Sequence, residues 1–500
     1  MEPTFAPTTP TGVPGFDVLF SGGLPRGRMY LVEGAPGTGK TTFALQFCLE
    51  GVRRGERVLY VTLSQRVGEL AEIAASHGWS LDGVDTMGTE TAGLDLHEEA
   101  STLLHPGEVD LASVMDVILT RVRETGPSRV VIDSAAEVRI LAGDPLRSRR
   151  RFLFLKHALG EAGVTALLLD DHSEDGGDSA VHSIMHGVVR LMRSAPQYGP
   201  VYRQVYVPKI RGVDNPTGYH DLRILRGGLE VYPSLTTGRR EGWDVEKGRN
   251  VVGGGVEGGP TGTLQSGVGA LDAMLGGGFD WGSSCVILGV SGSGKSSVAA
   301  TFAVAAASDG HRAVIYTFDE RRDTLRERMA GLGMDLDRPD LRDTLDVHEL
   351  SASLTTTGRF TDRIRHDVAA GVRVVVVDSL TGFTHACPGS DRAETQLHDL
   401  LAYLSERGVV TFLTVPQHGL IGTRPASQVD ISYVADTVLL LRHFEAEGQL
   451  RKAIAIVKRR HGGHDRSVRE LLIGDEGIDV GDRIAEPRGV LAGIPAIGGG

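Results

Sequence analysis

The chain has 500 residues, 41% hydrophobic and 23% charged, too long for one ordinary core and composed like two soluble domains. Its 52 Lys and Arg against 64 Asp and Glu leave a net charge of −12, which argues against a protein that coats duplex nucleic acid. Cys48, Cys285 and Cys387 are too widely spaced for a disulfide framework. They suit a reducing cytoplasm, and Cys48 and Cys285, in apolar surroundings, read as buried thiols.

The opening MEPTFAPTTPTG has neither a basic start nor an apolar core, so no signal peptide is read. Runs such as Val374–Val377 and Val438–Leu441 are strand-sized, far short of the ~20 residues that span a bilayer. A cytoplasmic protein without membrane attachment is expected.

Met29–Glu33 is expected as a strand, followed by a Gly-rich loop and a helix over Thr41–Arg53. Further strands are expected at Arg57–Leu63, Arg129–Ile132 and Thr165–Leu169. The pattern then returns at Ser284–Leu288, Arg312–Phe318, Arg373–Val377 and Val409–Thr414. Short β-branched runs alternating with helices predict a mostly parallel twisted sheet flanked by helices. Val201–Pro208, Leu222–Leu225, Thr437–His443 and Lys452–Lys458 are expected as antiparallel hairpins at the sheet edge.

The recurrence is an internal repeat. Gly12-Val13-Pro14-Gly15-Phe16-Asp17 returns as Gly267-Val268-Gly269-Ala270-Leu271-Asp272, 255 residues on, and Gly34 returns at the same spacing as Gly289. The ends of the second strands, Ser64-Gln65 and Asp319-Glu320, keep that register. The expected organisation is a first ATP-binding domain over 1–235, a Gly-rich charged linker over 236–262, a second domain over 263–485 and a tail over 486–500.

In each repeat a strand runs into Gly-x-x-x-x-Gly-Lys-Ser/Thr and then a helix, the context that defines a P-loop. The first comprises Gly34, Gly37, Thr38, Gly39, Lys40, Thr41 and Thr42; the second comprises Gly289, Ser291, Gly292, Ser293, Gly294, Lys295, Ser296 and Ser297. Backbone N–H groups and the helix N-terminus converge there on an anion. Lys40 and Lys295 would reach the β- and γ-phosphates of ATP. Thr41 and Ser296 would ligate Mg²⁺, with Asp133 and Asp378, each ending a buried strand, on the metal side. An Asp at a strand end also serves as a helix cap, and its pairing with a P-loop in each repeat favours the nucleotide role.

With a late Lys-x-Arg in each repeat, Lys209-Ile210-Arg211 and Lys458-Arg459-Arg460, the chain resembles the KaiC family of RecA-like ATPases over nearly its whole length. The resemblance implies two tandem RecA-like P-loop domains and a homo-oligomeric ring, usually of six, with ATP between subunits. It also implies that the Lys-x-Arg of one subunit reaches its neighbour's γ-phosphate, as two residues on one strand face can. A solvated strand face is the alternative.

Family members that hydrolyse ATP carry two acids after the second strand. Asp319-Glu320 has them and Ser64-Gln65 does not, so hydrolysis is expected mainly in the second domain and binding and assembly in the first. The resemblance also implies serine/threonine autokinase activity, with Ser432 on the phosphoacceptor serine position and Tyr433 where the family has threonine. A turn or cap hydroxyl is the other reading of Ser432.

His182 and His186, four apart, read as a solvated helix face, and Arg147–Arg151 as the charged start of a helix with apolar Phe152, Leu155 and Leu159. Two other functions use the same fold: a DNA-dependent motor, for which no aromatic-plus-basic cluster stands out, and a nucleotide-gated scaffold, against which Asp319-Glu320 weighs. Signalling proteins are the expected partners besides the chain itself; nucleic acid and membrane are not.

Overall fold

The structure, a computed structural model, describes residues 7–88, 111–171, 179–195, 201–213, 218–235, 243–244, 249–250, 262–351, 355–385, 390–418, 424–425 and 435–484. The chain divides into two compact units, Met1–Asn250 and Val251–Gly500. Inside the expected linker, Trp243–Asp244 and Arg249–Asn250 pair as a short antiparallel ribbon.

The first unit is built on a sheet of nine described strands. Its parallel part runs Val84–Gly88, Val58–Thr62, Arg129–Asp133, Thr165–Asp171, Met29–Gly34 and Gly187–Ser194. Tyr202–Ile210, Tyr219–Leu225 and Gly228–Tyr232 then continue it antiparallel. The second unit repeats that order: Leu345–Glu349, Arg312–Thr317, Val372–Asp378, Val410–His418, Ser284–Gly289, Thr437–Ala446, Gln449–Arg459, Arg469–Gly474 and Gly477–Arg483. The short strand Arg424–Pro425 pairs beside Val410–His418.

The central strands are apolar without alternation because helices cover both faces. Tyr30, Leu31, Val32, Val130, Val131 and Ile132 are fully buried, each burial worth about 1.5–3 kcal/mol. The helix Lys40–Arg53 buries Phe43, Phe47 and Cys48 on one face, and Lys295–Ser308 is alanine-rich where it lies on the sheet. Cys48 and Cys285 are buried, and burial pushes both thiols up.

One expected element needs correction. Thr437–Ala446 is not only half of an antiparallel hairpin: its other side pairs parallel with the P-loop strand, placing that strand mid-sheet. The hairpin to Gln449–Arg459 turns at Glu447 (φ 54°) and Gly448 (φ 70°), which matches the right-handed twist of the flanking strands. The helix opened by the basic run spans Pro145–Glu161, capped by Asp144 and burying Phe152, Leu155 and Leu159 as expected.

The repeated Asp near the start of each unit folds the entry turn. Asp17 accepts from Thr11 N (2.8 Å) and Thr11 Oγ1 (2.7 Å), and Asp272 from Ser266 N (2.7 Å) and Oγ (2.8 Å). No described helix is long and apolar enough to cross a membrane.

Candidate functional site

Both Gly-rich loops leave the C-terminal end of a central strand and enter a helix at the lysine. Gly39 and Gly294 sit at φ 106° and 99°, left-handed backbone that favours glycine. Gly34 and Gly289 admit no side chain: a Cβ would lie 2.3 Å from the Leu191 carbonyl oxygen in one and 2.5 Å from Ser293 Oγ in the other. Thr38 Oγ1 donates to Ala35 O and Ser293 Oγ to Val290 O, both at 2.8 Å, bracing the two loops alike. Thr41 and Ser296 are the second residues of their helices, with Thr42 and Ser297 next and buried. Gly37 and Gly292, both at φ 77°, and Ser291 form the exposed loop crest.

Lys40 Nζ donates to Gly34 O (2.7 Å) and pairs with Asp171 Oδ1 at 2.7 Å. Lys295 Nζ donates to Val290 O at 2.8 Å, and burial lowers its pKa against the pull of Asp378. Asp133 is 6% exposed, and burial raises its pKa although Tyr60 donates to it at 2.8 Å and Lys40 lies near. Asp378 accepts from Thr414 Oγ1. In both units the bond from this aspartate to the following serine is cis. In each unit the loop lysine lies near the strand-end carboxylate, and a hydroxyl residue follows the lysine at the start of the helix. Hard oxygen donors of this kind suit Mg²⁺, and the converging loop amides suit a phosphate chain.

After the second strand the two units share one turn. Thr62 Oγ1 donates to Gln65 O (2.8 Å) and accepts from Gln65 N (3.1 Å); Thr317 Oγ1 does the same with Glu320 (2.7 and 3.3 Å). The acids then part: Ser379 Oγ donates to Asp319, while Glu320 pairs with Arg328 at 2.7 Å.

The Lys-x-Arg pairs lie elsewhere. Lys209 pairs with Val188, which neighbours Leu31, so it sits two strands aside and level with the middle of the P-loop strand rather than its loop end. Lys458, opposite Val438, sits likewise near Cys285 and Val286. Lys209 Nζ donates to His182 O (2.7 Å), Arg211 to Ser183 O (3.0 Å) and Lys458 to Ala435 O (2.8 Å), while Arg460 pairs with Asp436 at 3.4 Å. Burial, with a neighbouring arginine, lowers both lysine pKa values.

His182 and His186 are not a solvated face. His182 Nε2 bonds to the buried Glu33, which also holds Arg190 at 2.6 Å. His186 Nδ1 accepts from Met29 N at 3.1 Å, and burial pushes its pKa down to about 4. Ser432 and Tyr433 lie outside the described residues.

Sequence reasoning missed Asp171, Tyr60, Thr414 and Arg328. Only Asp171 left a signal, as the second acid of Asp170-Asp171 at the end of a buried strand.

A central strand, Gly-rich loop and helix inside a mostly parallel sheet, present twice, define a tandem P-loop nucleoside-triphosphate-binding protein. The chain belongs to the KaiC family of ATPases, whose family model matches residues 9–236 and 264–484. It is 27% identical over 492 residues to circadian clock protein KaiC3 of Synechocystis sp. (strain ATCC 27184 / PCC 6803 / Kazusa), covering 97% of this chain and 94% of that protein. It is similar too to the circadian clock oscillator protein KaiC of Parathermosynechococcus lividus, 28% identical over 503 residues, with 98% and 88% covered. The KaiC of Synechococcus elongatus (strain ATCC 33912 / PCC 7942 / FACHB-805) is 26% identical over 493 residues, with 97% and 91% covered.

Proposed function

We propose that the chain is a Mg-ATP-dependent ring ATPase in which domain 263–485 carries most of the hydrolysis and domain 1–235 mainly binds ATP and holds the assembly. The observation that carries this reading is the shared turn after the second strand, which presents Glu320 in one unit and Gln65 in the other. A carboxylate can take a proton from attacking water; a carboxamide cannot, and losing such a base costs about 10²–10⁴-fold.

In each site the loop amides and Lys40 or Lys295 bind and orient the phosphates. Thr41 with Asp133, and Ser296 with Asp378, would hold Mg²⁺, which supplies charge neutralisation on the phosphate oxygens. Glu320 acts on the water, and Asp319 fixes the Asp378-Ser379 corner. Lys209, Arg211, Lys458 and Arg460, far from their own loops along the sheet, act on a neighbouring subunit's phosphate.

The test is assembly mass with and without Mg-ATP, together with ATPase activity of Glu320→Gln. Assembly on ATP with hydrolysis lost in the variant is the expected result. A nucleotide-insensitive monomer removes the inter-subunit site, and wild-type turnover in Glu320→Gln removes the base.

A timing or signalling role follows from the names of the relatives. Autokinase activity at Ser432 is the second reading, favoured by its place on the family's phosphoacceptor serine. Phosphosite mapping after incubation with labelled ATP tests it, and no label at Ser432 leaves only the ATPase.

A further inference from the structure

Glu320 is held from one direction. Arg328, on the helix Arg322–Ala330, donates Nε to Glu320 Oε1 (3.1 Å) and Nη2 to Glu320 Oε2 (2.7 Å), so one guanidinium takes both carboxylate oxygens. Its remaining nitrogen, Nη1, donates to Ser297 Oγ at 3.2 Å, on the first turn of the P-loop helix. The fork is partly enclosed, with side-chain exposures of 36% for Arg328 and 23% for Glu320.

The first unit has the same turn but none of this. At the repeat spacing of 255 residues, Ile73 stands for Arg328, Gln65 for Glu320 and Thr42 for Ser297. There the Thr42 hydroxyl meets His77 Nε2 at 3.3 Å, and Gln65 Oε1 is buried without a hydrogen-bond partner. The cation is present only in the repeat that carries the acid.

We propose that Arg328 is a positioning residue that restrains Glu320, docking its carboxylate onto the P-loop helix and thereby limiting the turnover of the second site. The inference rests on Glu320 being the base of that site. A carboxylate that orients or deprotonates water needs an oxygen free toward that water. Fork-shaped pairing with a guanidinium occupies both oxygens and fixes the direction of the carboxylate, so neither oxygen is free to turn toward a water. Because Ser297 follows the hydroxyl expected on the metal, a shift at the start of the P-loop helix is felt directly by the fork.

The experiment uses the full-length chain and Mg-ATP, comparing wild type, Arg328→Gln, Arg328→Lys, Glu320→Gln and the Glu320→Gln/Arg328→Gln double variant. Thermal midpoints and assembly mass serve as folding controls. An ion pair of this exposure is worth up to about 1 kcal/mol, so Arg328→Gln raises kcat about two- to fivefold while KM stays within about twofold. Arg328→Lys, which keeps the charge but not the fork, falls between wild type and Arg328→Gln. In the Glu320→Gln background the Arg328 substitution changes nothing, because the group it restrains is gone. A fall or no change in kcat for Arg328→Gln overturns the inference, as does the same proportional rise in the Glu320→Gln background. Wild-type turnover in Glu320→Gln instead overturns the assignment of the base itself, and the two failures are read from different variants.

Discussion

The placement of Lys458 and Arg460 makes the proposed inter-subunit site testable by complementation. Lys458 lies opposite Val438, which pairs with Val286, so it stands two strands (about 9.5 Å) aside from the P-loop strand Ser284–Gly289 and three residues (about 10 Å) short of its loop end at Gly289. Together these offsets amount to about 14 Å from the strand end that leads to Lys295, farther than a lysine side chain reaches within one chain. Lys295→Ala removes the phosphate lysine, and Arg460→Ala removes a cation whose counterpart in related enzymes is worth about 10³–10⁵ in rate. Each variant alone is expected to lose second-site turnover while still assembling on the ATP held by the first domain.

In an assembly mixed at equal ratio, a competent site needs an intact loop from one subunit and an intact cation pair from the next. Random mixing places both at roughly one interface in four, so roughly a quarter of wild-type turnover returns. The assay is steady-state phosphate release after joint disassembly and reassembly, with mass measurement of the mixed species. Mixed assemblies as inactive as either parent would refute the trans geometry and put the cations to work within their own chain.

Arg129 is fully buried, pairs with Glu56 at 2.6 Å, and donates to the carbonyls of Pro10 (2.6 Å) and Phe47 (2.9 Å). Arg129→Met strands all three partners and is expected to cost the first unit about 3–5 kcal/mol, read by chemical denaturation. His220 is fully buried, its Nδ1 accepts from Ser234 N at 3.0 Å, and burial pushes its pKa down to about 4. The unfolded chain binds that proton near pH 6.5 and the folded one does not. First-unit stability therefore falls as pH drops from about 6.5 to about 4, by about 3 kcal/mol, and His220→Gln flattens that slope. Gly294→Ala puts a Cβ at a φ of 99° and 2.4 Å from Ile473 Cδ1; fluorescent-nucleotide titration should find weakened binding at the second site, by about 1–3 kcal/mol.

The loops were legible because their chemistry demands particular residues in order: left-handed glycines, a lysine, a hydroxyl. The sheet was legible where both faces are covered, as at Val130–Ile132. It was not legible at Gly187–Ser194, where Arg190 and Arg193 interrupt the apolar run. Arg190 is tolerated because Glu33, itself an odd residue for a central strand, lies across from it. Charges that cancel in space but not in sequence hide from periodicity. The same holds for Arg328, eight residues beyond Glu320 on a helix crowded with other charges. His182 and His186 misled for the converse reason: their spacing suggested a common exposed face, yet their partners, Glu33 and Met29, come from a strand about 150 residues earlier.

The proposed trans role of the cation pair, two strands aside from the P-loop strand, also limits how copies can associate. A two-fold dimer would pair like surface with like, leaving loop against loop or cation against cation. Only head-to-tail contact lets every copy give and receive at once, and such contact ends in a closed ring or an open filament.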